Sequence, residues 1–257
     1  MATYYKTTKR NGMSFHGNVK YAVGKTVRKK KSLNPQLCTP TVLHASAKAL
    51  DALSYAGILD CNLYEVEGQA VIEDDRKSGF FSLTIVREVP DSEKDQVFGF
   101  KFNEALHPIN PVSIRRKVSA KDIENLKLWA SVRASVWASV GDSVRASVRA
   151  SVWASVWASV WASVRASVRA SVRASVRASV GDSVRASVGD SVWAYIGSLF
   201  LGIETWKYNE HEKGKYPFQP AVELWKRGFI PVKVDGKWKL YHPRKDKPAV
   251  CVYEGVQ

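Results

Sequence analysis

The sequence lacks the features that secreted, membrane-spanning or metal-dependent proteins usually carry. Its three cysteines, Cys38, Cys61 and Cys251, are odd in number and show no Cys-x-x-Cys spacing, so neither a disulfide framework nor a zinc site is indicated. The N-terminus has no apolar signal-peptide core, and the longest charge-free window of the central region, residues 150–164, is shorter than a bilayer requires. We therefore expect a soluble, cytoplasmic protein with reduced thiols and no membrane partner.

Catalytic motifs and acidic residues are also scarce. No Gly-rich phosphate loop, metal-ligand cluster or nucleophile-and-base spacing stands out, so the sequence predicts a non-enzyme with no cofactor and no metal. Only 24 Asp and Glu oppose 39 Lys and Arg, which gives a formal net charge of +15. Such a basic balance favours contact with nucleic acid or another anionic surface.

What the sequence has in abundance is a tetrapeptide repeat. Residues 129–194 consist of about sixteen copies of Ala-Ser-Val-X, where X is Arg, Trp or Gly. In a β-strand the valines and alanines would share one face and the serines and X residues the other. In an α-helix a period of four overshoots the 3.6-residue turn by about 40° per copy, so a long helix would have no fixed buried stripe. The period therefore favours strands.

The fold class predicted from this pattern is mainly β. Three Gly-Asp pairs, at residues 141–142, 181–182 and 189–190, suggest turns, so we predict a β-solenoid with about four faces per coil, similar to pentapeptide-repeat solenoids. A single helix about 100 Å long is the alternative. The predicted organisation is an N-terminal α+β domain at 1–112, a linker and capping helix at 113–128, the solenoid at 129–194 and a C-terminal α+β cap at 195–257.

The X positions suggest a binding surface. On a solenoid they would form a rigid ladder of arginine and tryptophan suited to phosphates and stacked bases. Alternatively, because Arg, Trp and Gly share codons of the form NGG, the variation is drift in an expanding DNA repeat. The predicted nucleic-acid-binding residues are Arg133, Arg145, Arg149, Trp153, Trp157, Trp161, Arg165, Arg169, Arg173, Arg177 and Arg185.

The flanking regions contain clear local signals. A helix with its N-cap at Ser46 and its stop at Gly57 is predicted, followed by strands at residues 63–67 and 80–89. Residues 119–122, Ser-Ala-Lys-Asp, indicate a capping box that starts the helix expected to close the first coil. A helix before Gly228 and an Asp-Gly hairpin at residues 232–240, with a third strand at 249–253, complete the C-terminal cap.

Two resemblances bear on function. Residues 4–89 contain five motifs in this order: Tyr-Tyr-Lys, Tyr-x-Val-Gly, Leu-His before a helix, Leu-Tyr-Glu-Val-Glu and Ile-Val-Arg-Glu-Val. In the order of these motifs the segment resembles an uncharacterised N-terminal domain of phage and bacterial repeat proteins. The tail, with Tyr-Pro-Phe-Gln and Leu-Trp-Lys-Arg-Gly-Phe, resembles that of phage-type Ala-Ser-Val-X proteins. These resemblances imply a phage-type protein in a bacterial host cell and bring no established activity with them. Taking them together with the basic charge and the Arg and Trp surface, we expect a non-catalytic protein that binds nucleic acid; the alternative is a protein-binding scaffold or virion component.

The same order of elements is also similar to ADP-ribosyltransferase-like folds. That resemblance implies that His44, with Glu65 or Glu67, would bind and polarise a nicotinamide dinucleotide. No Ser-Thr-Ser or Arg-Ser-Glu signature is present. The interpretation that His44 is a structural histidine therefore stands beside the catalytic one.

Overall fold

The computed structural model describes residues 2–15, 19–148, 150–160, 168, 172, 181–245 and 247–256. They form two compact units, one of residues 1–103 with 149–155, the other of residues 104–148 with 156–257. Within the described residues the fold is mixed α/β, with three small antiparallel sheets and no solenoid. The prediction of a mainly β solenoid with four faces per coil was therefore wrong.

The first unit contains two sheets and three short helices. A four-stranded antiparallel sheet has the order β1-β4-β7-β2, and a three-stranded sheet has the order β3-β6-β5. The elements are β1 (Thr3–Thr8), β2 (Thr26–Arg28), β3 (Leu43–Ala45), α1 (Ala49–Ala56), β4 (Asn62–Glu67), β5 (Ala70–Glu73), β6 (Ser78–Phe80), β7 (Ser82–Glu88), α2 (Asp91–Phe98) and α3 (Phe102–Leu106), of which α3 continues into the second unit.

The core of this unit is built from side chains of both sheets. Strand alternation directs Tyr64 and Val66 of β4 into it, and Phe80 of β6 joins them. The predicted strands at residues 63–67 and 80–89 are confirmed in outline. The whole cluster comprises Tyr21, Leu43, Ala45, Tyr64, Val66, Phe80, Leu83 and Ile85.

Helix α1 ends as predicted but begins later. Gly57 stops it with φ of 68°, a left-handed conformation that glycine adopts without strain. Ser46 does not cap the helix, because its backbone pairs with that of Tyr5 at 2.7 and 2.9 Å. Lys48 occupies the N-cap position without a side-chain bond.

The second unit contains most of the repeat and the C-terminal sheet, in the order β10-β9-β8. Its elements are a 3₁₀ turn (Pro111–Ser113), α4 (Ala120–Val132), a second 3₁₀ turn (Arg133–Ser135), α5 (Val136–Ser147), α6 (Ala150–Val160), α7 (Gly181–Gly197), α8 (Gln219–Lys226), β8 (Ile230–Val234), β9 (Lys237–Arg244) and β10 (Lys247–Val256). The first six residues of α6 belong to the first unit.

The described part of the repeat is compatible with helices because each helix is short enough to keep its valines on one buried stripe. Val136, Val140 and Val144 of α5 are at most 1% exposed, and their drift of about 80° fits inside a buried stripe about 100° wide. The 3₁₀ turn before α5 and the extended Val148 after it interrupt the helix before the stripe rotates away from the core. A single unbroken helix over all copies would lose its buried stripe, whereas a helix of about three copies keeps it.

A period of four also suits some of the serines, although Ser139 Oγ in α5 is buried with no partner among the described residues. Ser147 donates to the carbonyl of Ser143 at 2.9 Å and Ser191 to that of Ser187 at 3.0 Å, so each hydroxyl is satisfied inside its own helix. The Gly-Asp pairs at residues 141–142, 181–182 and 189–190 lie within α5 and α7, so the turns predicted there were wrong.

The C-terminal predictions are confirmed at the level of local structure. Asp235 and Gly236 have φ of 50° and 77° and connect β8 to β9, and β10 adds the third strand. The capping box of Ser119 and Asp122 is present at the start of α4. Its predicted role as the seal of a coil was wrong, since the described residues form no coil.

Among the described residues, no helix is both long and apolar enough to cross a membrane.

Candidate anion-binding cavity

The structure does not arrange the predicted Arg and Trp residues as a displayed ladder. Arg133 forms a 2.5 Å ion pair with Asp190 and lies 5.1 Å from the ring centre of Trp238. Arg145 is mostly exposed, with Asp142 at 3.7 Å. Trp153 is 8% exposed and Trp157 is half-buried. Arg149, Trp161, Arg165, Arg169, Arg173, Arg177 and the side chain of Arg185 lie outside the described residues.

His44 and the two candidate glutamates do not line a common site. Glu65 forms a 2.6 Å ion pair with Arg87 of β7. Glu65 and Glu67 alternate along β4 with Tyr64 and Val66, which point into the core cluster. His44 instead lines a cavity to which neither glutamate contributes.

This cavity lies within the first unit and has a volume of about 550 Å³. Its walls come from β1, β3, α1 and the segments before β2, β3 and β6. Most of the lining is aromatic or aliphatic, including Phe15, Tyr21, Val42 and Leu43, and its charged members are lysines. The lysines and the chemically active side chains of the lining are Lys6, Lys29, Lys77, His44 and Cys38.

His44 is held neutral in this cavity. The backbone N–H of Cys38 donates to its Nε2 at 3.0 Å, which assigns the ring proton to Nδ1. Burial, followed by the charges of Lys6, Lys77 and Lys29, lowers the pKa of His44 from 6.5 to about 4. His44 can therefore donate a hydrogen bond to a ligand from Nδ1 without carrying charge.

Lys6 enters the cavity from an inward position of β1. It lies opposite Tyr64 of the core cluster, and its neighbours on the same face of the strand are Tyr4, packed against that cluster, and the fully buried Thr8. Its Nζ lies 5.3 Å from the ring centre of Tyr21. Burial and then the charge of Lys77 lower the pKa of Lys6 from 10.5 to about 8.

Lys77 connects the rim of the cavity to an exposed thiol. Its Nζ lies 3.3 Å from Cys38 Sγ and 3.6 Å from the ring centre of Tyr55. Cys38 has φ of 62°, an uncommon conformation for a residue other than glycine. The conformation directs its N–H to His44 while its sulfur contacts Lys77.

One further polar atom of the lining is unsatisfied. Ser14 Oγ is buried and has no hydrogen-bond partner among the described residues. Buried hydroxyls are normally paired with protein, water or ligand. Ser14 belongs to the wall of the cavity, but its Oγ has almost no accessible surface through which a molecule in the cavity could contact it.

No carboxylate contributes to the lining that the structure describes. Across the described residues, no three His, Cys, Asp or Glu side chains cluster closely enough to hold a metal ion. The neighbouring acid Glu73 accepts hydrogen bonds from Tyr4 and Ser78, at 3.3 and 2.8 Å. The cavity is therefore cationic and apolar, and a ligand of the opposite charge is the chemical complement of its lysines.

Sequence reasoning identified His44 but missed the lysines around it. The signal for Lys6 was present in the strand Thr-Tyr-Tyr-Lys-Thr-Thr, where period two puts the lysine on the same face as Tyr4. Lys29 lies in the basic run of residues 28–31 and Lys77 at the end of the charged segment 73–77, and neither segment has an apolar alternation that would direct its lysine inward. Nothing in the sequence brings the three lysines to one cavity, since only tertiary packing does so.

The first unit thus belongs to the class of small two-sheet α/β domains with a cationic internal cavity. Residues 2–94 match the model of a family described as a domain of unknown function, DUF7666. Every residue that lines the cavity falls inside the matched range. Neither the curated proteins nor the solved structures give a significant match to the chain.

Proposed function

We propose that the N-terminal unit is a non-catalytic binding domain for a small organic anion, which it holds in the cavity of His44. The observation that supports this most is the composition of the described lining, where Lys6, Lys29 and Lys77 occur together without a carboxylate. An acid with a resolved interaction is Asp74, which lies outside the lining and acts on Lys77. Lysines in a protein interior are normally paired with an opposite charge. An anionic ligand would supply the missing counter-charge.

The electrostatics of the cavity support the same proposal. The charges of all three lysines act on His44, and that of Lys77 also acts on Lys6, so the ammonium groups repel one another in a partly desolvated space. A phosphate or carboxylate placed among the three ammonium groups offsets their mutual repulsion by attracting each of them. It also accepts charge-assisted hydrogen bonds from them. His44 Nδ1 adds a neutral hydrogen bond to the ligand.

The size and walls of the cavity favour an organic anion over an inorganic one. A volume of about 550 Å³ lies within the range of ordinary ligand pockets, roughly 300–1,000 Å³, and greatly exceeds that of one phosphate. Phe15, Tyr21, Val42 and Leu43 provide an apolar surface for a ring or a short chain. The ligand we propose therefore combines an apolar body with a phosphate or carboxylate.

Calorimetric titration of the full chain tests this proposal. The panel is pyrophosphate, nucleoside mono- and diphosphates and aromatic carboxylates, each with its uncharged analogue. We expect saturable binding of a charged member, weakened about tenfold or more by Lys77→Met or Lys29→Met. Lys30→Met is the matched control, because Lys30 belongs to the same basic run as Lys29 but is exposed and does not line the cavity.

Two outcomes would contradict the proposal. If no charged member binds, or if charged and uncharged analogues bind equally, the cavity is not an anion site. If Lys30→Met weakens binding as much as Lys29→Met, general surface charge is responsible instead.

Nucleic-acid binding by the repeat is a second candidate function. It is favoured by the net charge of +15 and by Arg145, whose side chain is 57% exposed. The described contacts of Arg133 and Trp153 do not add to it, because those side chains are held in an ion pair and in the interior. A protein-binding scaffold is the alternative for this region. It is favoured if the purified chain does not bind DNA or RNA but pulls down a phage or host protein.

A further inference from the structure

We propose that Lys6 captures its ligand covalently, by forming a Schiff base with an aldehyde or ketone carried by the organic anion. This inference rests on the proposed function, since the remaining lysines must hold the charged group of the same ligand. It narrows the ligand to a carbonyl compound with a phosphate or carboxylate. It also gives Lys6 a role different from that of Lys29 and Lys77.

The position of Lys6 supports this role. An ordinary surface lysine occupies the solvent face of a strand, whereas Lys6 faces the core cluster across from Tyr64 and beside the ring of Tyr21. Among the described residues, no carboxylate and no hydrogen-bond acceptor pairs with its Nζ. A terminal amine is thus presented, unpaired, to an apolar cavity large enough for a ligand.

The surroundings of Lys6 also make its amine nucleophilic. Desolvation and a neighbouring cation are the two known means of activating a lysine toward carbonyl compounds. With the pKa of Lys6 lowered to about 8, a larger fraction of its amine is neutral at pH 7 than for an ordinary lysine at 10.5. Lys29 and Lys77 remain to bind the anion.

The reaction needs no oxidant and no cofactor. The Nζ lone pair adds to the carbonyl carbon, the nitrogen loses one proton and the carbonyl oxygen gains one, which gives a carbinolamine. That intermediate loses its hydroxyl and the remaining N–H proton as water and leaves a C=N bond. The condensation is reversible, so the domain binds and releases the ligand without consuming it.

Several titratable groups face Lys6 and must be considered in a pH profile. The cations are Lys77, from the segment before β6, and Lys29, from the segment after β2, and neutral His44 comes from β3. The phenols of Tyr21 and Tyr64 lie on the core side. The lining also contains the thiol of Cys38 and the phenols of Tyr5 and Tyr55, while the acids Asp51, Glu73 and Asp74 belong to neighbouring segments outside it.

Pyridoxal 5′-phosphate is a suitable probe, because it is an aromatic aldehyde with a phosphate. The full chain is incubated with the probe, reduced with borohydride and digested, and the modified lysines are mapped by mass spectrometry. We expect Lys6 to carry most of the label, with an initial rate that rises to half its maximum near pH 8. Pyridoxal, which lacks the phosphate, should label Lys6 at least tenfold more slowly.

Three variants separate the role of Lys6 from that of its neighbours. Lys6→Arg keeps the positive charge but cannot form a Schiff base, so it should abolish capture. Lys77→Met should slow capture several-fold by weakening the hold on the phosphate. Lys30→Met, at the exposed lysine, should leave capture unchanged.

Pyridoxine 5′-phosphate distinguishes failure of this inference from failure of the proposed function. It has the same ring and phosphate but an alcohol in place of the aldehyde, so calorimetry with it measures the anion site alone. If it binds while the reduced label is absent from Lys6 or spread over exposed lysines, the Schiff base is refuted and the anion site stands. If neither compound binds or labels the cavity, the Schiff base is refuted, and the anion site is refuted with it when no charged member of the calorimetric panel binds either.

Discussion

Protonation of His44 should make the stability of this protein depend on pH over a defined window. The pKa of His44 is about 4 in the folded chain, against an ordinary value of 6.5. Between these values the unfolded chain binds one proton more than the folded chain, so stability falls as the pH falls. The contribution is fully favourable above pH 6.5 and is lost as the pH decreases toward 4.

The magnitude follows from the size of the shift. A difference of 2.5 pH units corresponds to about 3 kcal/mol for a fully buried group. His44 is only half-buried, so solvent screening reduces this, and we expect a loss of about 1 kcal/mol between pH 7.5 and pH 5. The lowered pKa of Asp91, due chiefly to its hydrogen bond with Lys94, removes stability only below the ordinary value of 3.8. The raised pKa of the partly buried Asp190 acts in the opposite direction above 3.8, so the effect of His44 is obtained from the difference between the wild type and a variant in which this residue cannot titrate.

Urea unfolding of the full chain at pH 7.5, 6.5, 5.5 and 5.0 measures this effect. His44→Gln retains an acceptor for the N–H of Cys38 but cannot titrate, so its free energy of unfolding should fall less over this range. His107→Gln, at an exposed histidine outside the cavity, is the control and should keep the wild-type slope. Equal slopes for wild type and His44→Gln would show that His44 is not held neutral by its surroundings.

Three further predictions concern the repeat. Val140→Ala should lower the free energy of unfolding by about 2 kcal/mol, and Val148→Ala, at the partly buried helix break, by less than half as much, as measured by urea titration. Arg133→Gln should lower the free energy of unfolding by about 2 kcal/mol near neutral pH, because it leaves the partly buried carboxylate of Asp190 without its partner. Burial raises the pKa of Asp190, so this carboxylate becomes charged as the pH rises and the loss should grow. A loss that stays constant from pH 5 to 8 would contradict this prediction. For nucleic acid, log affinity should fall with log salt concentration, and Arg145→Ser should reduce the slope by about one; absent or salt-independent binding to DNA and RNA would refute that prediction.

The elements that sequence reasoning predicted correctly are those specified by a few adjacent residues. The Asp235-Gly236 hairpin, the capping box at Ser119 and the stop at Gly57 each depend on backbone conformations or hydrogen bonds within about four positions. Such signals do not depend on the rest of the fold. Ser46 shows the limit, because its backbone paired with Tyr5 and was not free to cap α1.

The cavity could not be derived from the sequence in the same way. Lys6, His44 and Lys77 belong to β1, β3 and the segment before β6, and nothing in their spacing brings them together. The alternation in β1 could have shown that Lys6 faces inward, but not what it meets there. Only the packing of two sheets around a common cluster shows that its neighbours are cations rather than carboxylates.

The helical repeat also changes the meaning of its variable position. On a solenoid every X residue would have the same surroundings, whereas a helix rotates this position by about 40° with each tetrad. The described copies also lie on different helices, and their exposure differs: Trp129 of α4 is fully buried, Trp153 of α6 is 8% exposed and Trp137 of α5 is 61% exposed. A buried tryptophan packs in the interior and cannot be exchanged freely for arginine, while one at the surface can. Drift among Arg, Trp and Gly is therefore physically tolerable only at the exposed copies, and the choice between drift and selection must be made copy by copy.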